Sequence, residues 1–447
     1  MRRISPAVFL LATVLAGPVG PSLARAQCLC GTAADDLVAD RAGLVREWVV
    51  QLPFDSSRFR LDHVVVGDGI VVAQTGDGLT HAIQAARFDG GQPPVGAPRI
   101  GTRLWSTVTG RAGMPAEAAG VGPRLVTVSA DLGFFAIERE TGKIAWQEQF
   151  GGLPAQGPFS DDEWVYIPRG GNLLRLPVDR DRRISATPDE GAALPETRDG
   201  RRSEQADKPV SISMGSSLTY PPRSLPDGGV FWCNDSGVIV ALTLTELGWV
   251  RNQFELLSPT QGEPALRGNT VFAATRAGEL ARIEIGQKIE ATWRQVLPRI
   301  ADSGPFLSGD TVVVNVGEDG ILACSAETGD PLWWTRVIGT IVAVSGDRVW
   351  LFDRMGTLTG LDLATGQRRE RLCLGGFTLP IVNRMSDRLI LASSTGVVVA
   401  LAPRRSGPAR AAAPAPAAAE APAAEDVQPT ESADDVEADA TTDTDAS

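Results

Sequence analysis

The segment Gly309–Trp334, GDTVVVNVGEDGILACSAETGDPLWW, decides the fold. A β-branched apolar run leads through a tight Gly-Glu-Asp-Gly turn into a second apolar run. A Glu-Thr-Gly-Asp turn then precedes two tryptophans. Apolar runs rich in β-branched and aromatic residues, bounded by glycine turns, are typical of strands joined by hairpins. The segment therefore predicts three consecutive antiparallel strands.

The same pattern recurs along the chain. Its first turn is marked by a glycine in each unit: Gly78, Gly133, Gly171, Gly237, Gly278, Gly320, Gly356 and Gly396. From Gly237 onward the spacings are 41, 42, 36 and 40 residues, as expected for the four-stranded blades of a propeller. A proline ahead of several apolar runs indicates a short additional strand at the start of the blade, because proline is tolerated at strand edges. We therefore predict an all-β, eight-bladed β-propeller of four-stranded antiparallel blades, with seven blades as the alternative count.

A second turn gives the repeat its most specific signature. Thr-Gly turns occur at Gly142, Gly329 and Gly366, and a tryptophan follows the first two turns, at Trp146 and Trp333. Glycine meets the need of such hairpins for a positive φ, and an indole just beyond can pack between neighbouring blades. We assign these five residues as structural repeat positions.

The stretch Ala136–Trp146, AIERETGKIAW, resembles the repeat of pyrroloquinoline-quinone (PQQ)-like propellers, commonly Ala-x-Asp-x-x-Thr-Gly-x-x-x-Trp. The resemblance covers about residues 44–402 and is strong in three units. In size, blade number and export pattern the chain is also similar to the periplasmic propeller subunit of the outer-membrane β-barrel assembly machinery. It differs from that subunit in having an acidic tail and no lipobox.

The two ends of the repeat region predict how the ring closes. The last unit stops near Leu401 without its outer strand, while a lone strand, Val45 to Leu52, precedes the first unit. Pairing the two would leave no open sheet edge. We expect the N-terminal strand to complete the last blade.

Four segments flank or interrupt the propeller, which we place at 44–402. Residues 1–26 have a basic start, a short apolar run and a small-x-small site ending at Ala26, which predicts a cleaved signal peptide. Residues 27–43 form an N-terminal extension. Residues 179–212 read as a long polar loop between blades three and four. Residues 403–447 are rich in Ala and Pro and then in acidic residues, which predicts a disordered tail.

Charge and residue types argue against several functions. Of the net charge of −12, residues 411–447 contribute ten acids without a base and residues 1–26 contribute three arginines, which leaves about −5 for residues 27–410. This gives no basic face for nucleic acid. The two histidines, His63 and His81, have no ligand cluster near them, so we expect no metal site.

The five cysteines divide into two groups. Cys233, Cys324 and Cys373 lie in apolar or strand-like runs, where we expect small buried side chains. Cys28 and Cys30 lie just beyond the signal peptide, and the sequence leaves open whether they form a disulfide.

Two functions follow from the resemblance. The first is a non-catalytic scaffold for protein–protein or polymer interaction, periplasmic or secreted, monomeric, without cofactor or transmembrane segment. The second is a degenerate PQQ-dependent dehydrogenase. Enzymes of that class use a pair of adjacent cysteines against the quinone, and this sequence has none, although Trp164, Trp232 and Trp350 could face an axial site. We therefore favour the scaffold, with no catalytic, cofactor or metal residue assigned and the binding residues unknown.

Overall fold

Eight four-stranded antiparallel sheets account for the described part of the chain. The computed structural model describes residues 36–87, 96–149, 156–179, 210–226, 228–245 and 248–404. Each sheet is one blade of a propeller, and the predicted count of eight blades is confirmed. The region predicted as signal peptide lies outside the described residues, as do 27–35, most of the polar insertion and the predicted tail beyond Arg404.

The first four blades follow one another along the chain, each from its inner to its outer strand. Blade 1 contains β2 (Leu61–Gly67), β3 (Ile70–Thr75), β4 (Leu79–Gln84) and β5 (Arg103–Val108). Blade 2 contains β6 (Gly120–Val121), β7 (Leu125–Ala130), β8 (Gly133–Glu138) and β9 (Ile144–Gln149). Blade 3 contains β10 (Phe159–Ser160), β11 (Trp164–Arg169), β12 (Asn172–Pro177) and β13 (Val210–Ser213). Blade 4 contains β14 (Arg223–Ser224), β15 (Val230–Cys233), β16 (Val238–Thr245) and β17 (Gly248–Glu255).

The remaining blades repeat this order except for the last. Blade 5 contains β18 (Ala265–Arg267), β19 (Thr270–Ala274), β20 (Glu279–Ile285) and β21 (Ile289–Val296). Blade 6 contains β22 (Phe306–Ser308), β23 (Thr311–Asn315), a 3₁₀ turn (Gly317–Asp319), β24 (Ile321–Ser325) and β25 (Pro331–Thr335). Blade 7 contains β26 (Thr340–Ser345), β27 (Arg348–Phe352), β28 (Thr357–Asp362) and β29 (Arg368–Cys373). Blade 8 contains β30 (Leu379–Pro380), β31 (Leu389–Ala392), β32 (Val397–Pro403) and the N-terminal β1 (Leu44–Gln51).

The ring is closed by strands from both ends of the chain. β1 pairs antiparallel with β32, from Leu44 opposite Pro403 to Gln51 opposite Val397. The prediction that a lone N-terminal strand completes the last blade is therefore confirmed. The closure converts what would be an exposed outer edge of β32 into a paired strand.

Antiparallel strand order fixes which loops share a face. The turn between the second and third strands of a blade emerges on the same side as the link from its outer strand to the next blade. We call this side the linker face. Backbone hydrogen bonds join the link to the turn: Leu256 N donates to Gly237 O at 2.9 Å, and Leu297 N donates to Gly278 O at 2.8 Å.

The core lies in apolar layers between neighbouring blades rather than in one central cluster. Between blades 7 and 8, for example, Trp350 and Leu358 pack with Leu391 and Val399. Most central strands read as continuous runs of buried residues because both of their faces are covered. The layers hold each blade rigidly against the next.

The expectation for the polar loop 179–212 needs correction. Val210–Ser213 is the outer strand of blade 3 and pairs with β12, with Arg175 opposite Val210. The insertion therefore interrupts blade 3 before its last strand and does not separate blades 3 and 4. The strand was missed because it is only four residues long and directly follows a charged, proline-interrupted run. Its alternating buried Val210 and Ile212 are nevertheless typical of an outer strand.

The short helix α1 (Asp36–Arg41) precedes β1. Ala39, just ahead of β1, packs in the layer between blades 7 and 8 with Leu372. Cys373, the next residue after Leu372, is disulfide-bonded, whereas Cys233 and Cys324 are buried free thiols. The expectation of a plain buried side chain is therefore wrong for Cys373. A strand pattern cannot distinguish a thiol from a half-cystine. No helix in the described ranges is long and apolar enough to cross a membrane.

Candidate functional site

Each repeat glycine makes room for an indole from the preceding blade. Gly142, Gly329 and Gly366 have φ of 73°, 79° and 70°. A Cβ on Gly142 would lie 2.5 Å from Cγ of Trp105, and one on Gly329 would lie 2.8 Å from Cε3 of Trp293. A Cβ on Gly366 would collide with Trp333 in the same way. The Thr-Gly turn of one blade thus packs against the tryptophan of the preceding blade.

The indole nitrogens complete this contact with hydrogen bonds to main-chain carbonyls of the next blade. Trp146 Nε1 donates to Val178 O at 3.2 Å, and Trp333 Nε1 donates to Leu363 O at 2.8 Å. Equivalent hydrogen bonds run from Trp105 Nε1 to Arg139 O at 2.8 Å and from Trp293 Nε1 to Ala326 O at 3.1 Å. Buried indoles usually satisfy their N–H in such a way.

The repeat pattern predicts Trp146 and Trp333 as structural positions but does not reveal Trp105 and Trp293. The tryptophan that contacts a given Thr-Gly turn comes from the preceding unit, and the units of Trp105 and Trp293 lack a Thr-Gly turn of their own. A signal was present all the same. Each missed tryptophan precedes a good turn by about one blade length.

Exposed apolar side chains lie on the linker face of several blades. On blades 4 to 7 they are Leu257, Val296, Ile300, Ile338 and Met355, and on blades 1 and 2 they are Val108, Met114 and Leu132. Val296 is 80% exposed and Met355 is 85% exposed. The larger set comes from four consecutive blades, so its members follow one another around the ring. Arcs of this kind mark interaction sites more often than scattered residues do.

Polar and aromatic groups border this arc. Trp334 is half exposed and donates from Nε1 to Asp319 O at 2.7 Å, which ties the outer strand of blade 6 to its own turn. Arg299 pairs with Glu318 at 3.5 Å across the junction of blades 5 and 6. Tryptophan and arginine at an apolar surface match the composition of protein-binding sites. We refer to the five apolar residues with Trp334 as the apolar arc.

The residues considered for catalysis or a cofactor are held in structural contacts. Trp164, Trp232 and Trp350 lie in the layers between blades, with Trp232 completely buried. None of the three belongs to an axial site. The guanidinium carbon of Arg175 lies 4.0 Å from the ring centre of Trp164, so this indole also stacks on a buried arginine.

Both histidines have protein partners. His81 is fully buried, with Nδ1 2.7 Å from Ser106 Oγ and Nε2 3.3 Å from Thr75 Oγ1. Burial lowers the pKa of His81 to about 4. Nε2 of His63 lies 3.0 Å from Ala116 O. In the described ranges no three His, Cys, Asp or Glu side chains are grouped as metal ligands would be.

Fold and repeat contacts together define a PQQ-like β-propeller repeat protein. The model of the family "Outer membrane protein assembly factor BamB" matches residues 96–288, 223–376 and 289–432. Since these matches span most of the chain, the protein belongs to that family.

An individual relative agrees with this assignment. The outer membrane protein assembly factor BamB of Xanthomonas campestris pv. campestris is 26% identical over 182 residues. That match covers 38% of this chain and 44% of the relative, so it spans less than half of the relative's length.

Two solved structures share the fold. BamB from Moraxella catarrhalis superposes with a TM-score of 0.56 at 17% identity, covering 80% of this chain and 97% of that one. The computationally designed Ika8 protein also gives a TM-score of 0.56, at 12% identity, covering 79% of this chain and 98% of that one. A designed protein with the same fold illustrates that a propeller alone does not specify a function.

Proposed function

We propose that this protein is a non-catalytic scaffold of the bacterial cell envelope that binds another envelope protein during outer-membrane protein assembly. The observation that carries the proposal is the apolar arc on the linker face of blades 4 to 7. Membership of the assembly-factor family supports the same role. A rigid ring with loops displayed on one face is suited to binding rather than to reaction.

Export is part of the proposal. The signal-like pattern ending at Ala26 and the disulfide at Cys373 both fit an oxidising compartment outside the cytoplasm. We place the mature protein in the periplasm, acting as a monomer. Cell fractionation and the mass of the exported protein test the location and the cleavage after Ala26, and light scattering tests the monomer.

Complementation of a strain that lacks the gene tests the function. Ile338→Asp and Met355→Asp place charges on the apolar arc at side chains that are 68% and 85% exposed. Neither substitution removes a buried apolar side chain. The melting temperature should therefore stay within about 2 °C of the wild type, as for exposed substitutions in general. We expect both variants to reduce the amount of outer-membrane protein that is assembled.

Val382→Asp is the matched control. Val382 is 43% exposed in the loop between β30 and β31, on the face opposite the apolar arc. It should restore assembly like the wild type. Equal complementation by all three variants, with normal melting, would argue against the apolar arc as the binding surface.

A further inference from the structure

The outer strand of each blade presents one edge to the rim of the ring. Proteins usually protect such edges with bulges, proline or very short strands, because an open edge pairs readily with another chain. Seven of the eight outer strands that the structure describes have one of these features. A register shift interrupts the pairing of β1, β5, β9, β21, β25 and β29 with the neighbouring strand, and β13 has only four residues.

The outer strand of blade 4 has none of these features. β17 is eight residues long and contains no proline. It pairs with β16 without a register shift, from Glu255 opposite Val238 to Gly248 opposite Thr245. Its free edge is therefore the longest uninterrupted one among the described outer strands.

The backbone groups of alternate residues of β17 point away from β16. Leu256 N, just beyond the strand, donates to Gly237 O at 2.9 Å, so these two residues form a hydrogen-bonded pair. Bonded and non-bonded pairs alternate along an antiparallel ladder, and every second residue of β17 therefore directs its N–H and C=O towards the rim. These residues are Trp249, Arg251, Gln253 and Glu255. Their outward groups form no hydrogen bond with the backbone of another described residue.

The side chains along this edge are accessible and indicate what would pair with it. Arg251, Gln253 and Glu255 are exposed and lie on one face of the strand, because they are two residues apart. A partner strand with an acidic residue opposite Arg251 and a basic residue opposite Glu255 would form two cross-strand charge pairs. Val250, on the other face, is 37% exposed and offers an apolar contact. The edge therefore fits an extended chain of alternating polar and apolar residues.

We propose that the edge of β17 binds an extended segment of an unfolded polypeptide, which is added to blade 4 as a further strand. In this mode of recognition main-chain hydrogen bonds provide the affinity, and alternate side chains provide the selectivity. β17 lies on the rim, whereas the apolar arc lies on the linker face. The inference therefore goes beyond the scaffold function, and neither proposal depends on the other.

Fluorescence anisotropy with a labelled peptide, Thr-Val-Lys-Val-Thr-Val-Glu-Val-Thr, tests the edge in the exported protein. In antiparallel pairing its lysine and glutamate lie opposite Glu255 and Arg251. Gln253→Pro removes an N–H that points to the rim and leaves the hydrogen bonds to β16 in place, and proline is tolerated at such positions. We expect this variant to bind the peptide about ten-fold more weakly. Gln253→Val is the matched control, since it keeps the N–H and should bind like the wild type.

Two N-methylated peptides provide a test that does not depend on how well Gln253→Pro folds. In the antiparallel pairing the N–H of the central threonine faces β17, whereas the N–H of the valine after it faces away. Methylation of the threonine nitrogen should weaken binding about ten-fold more than methylation of the valine nitrogen. A wild type that does not bind the peptide, or equal losses from the two methylations, would overturn the proposal. So would a dimer that Gln253→Pro abolishes in light scattering, because the edge would then pair with a second copy of the chain.

Discussion

Nε1 of Trp333 in blade 6 donates a hydrogen bond to the carbonyl oxygen of Leu363 in blade 7, at 2.8 Å. The indole ring of the same residue lies against Gly366, at the following turn. A single tryptophan thus fixes both the spacing and the register of two blades. Since the linker face is built from loops of successive blades, such contacts set the geometry of the apolar arc.

Gly366→Ala should destabilise the protein by more than its backbone conformation explains. The positive φ of 70° costs alanine about 1–2 kcal/mol, and the new Cβ would also collide with Trp333. Gly309→Ala is the control, because its φ is 52° but no atom lies within 4 Å of the added Cβ. We expect urea unfolding to show a loss about 1–3 kcal/mol larger for Gly366→Ala. Equal losses would mean that the indole moves aside freely.

Closure of the ring predicts a contrast between neighbouring residues of β1. Leu44 is 2% exposed and packs with Leu401, whereas Val45 is 45% exposed. Leu44→Ala should lower the free energy of unfolding by about 2–5 kcal/mol, as large-to-small core substitutions do. Val45→Ala should change it by less than about 0.5 kcal/mol. Chemical unfolding measures both, and a tolerated Leu44→Ala would show that β1 contributes little to closure.

His81 predicts a loss of stability in acid. The pKa of His81 is about 4 in the folded protein, against 6.5 for the ordinary side chain, because burial disfavours the charged ring. Between these values the unfolded chain binds a proton that the folded chain does not. The free energy of unfolding is therefore not reduced by His81 above pH 6.5, and it declines through this group as the pH falls towards 4. The slope from this group is at most about 1.4 kcal/mol per pH unit.

His81→Gln isolates this effect. Glutamine keeps a polar side chain near Ser106 but does not titrate, so the variant should lose less stability than the wild type between pH 6.5 and 4.5. His63→Gln is the control, because it removes the other histidine of the sequence, whose side chain is only partly buried beside Ala116 O. Parallel pH profiles for the wild type and His81→Gln would refute the assignment.

The repeat pattern was enough to predict most of the fold, but it predicted only some of the contacts between neighbouring blades. Regular turn glycines predicted the eight blades because each blade is a local unit, and a lone N-terminal strand together with a last unit that lacks its outer strand predicted how the ring closes. Trp105 was missed because its partner, Gly142, lies in the next unit. The hydrogen bonds from Arg384 to Pro305 O and Gly304 O could not be predicted, because the partners are 79 and 80 residues apart and no local spacing relates them.

Cys373 predicts a covalent link between the propeller and the N-terminal extension. With Cys233 and Cys324 free, the remaining cysteines of the sequence are Cys28 and Cys30, so we expect one of them to be the partner. Ala39 already packs beside Leu372, and an extended chain covers about 3.3 Å per residue, which brings either cysteine within reach. Peptide mapping of the exported protein without reduction should identify the linked pair.

Cys373→Ser should then lower stability under oxidising conditions by about 2–4 kcal/mol, the usual effect of losing a disulfide. Under reducing conditions the wild type and this variant should unfold alike. Cys324→Ser is the control, since a buried free thiol contributes through packing whether the solution is oxidising or reducing. A redox-independent effect of Cys373→Ser, with no cross-linked peptide, would exclude the link. A redox-dependent effect would show that the N-terminal extension is fastened to blade 7, beside the strand that closes the ring.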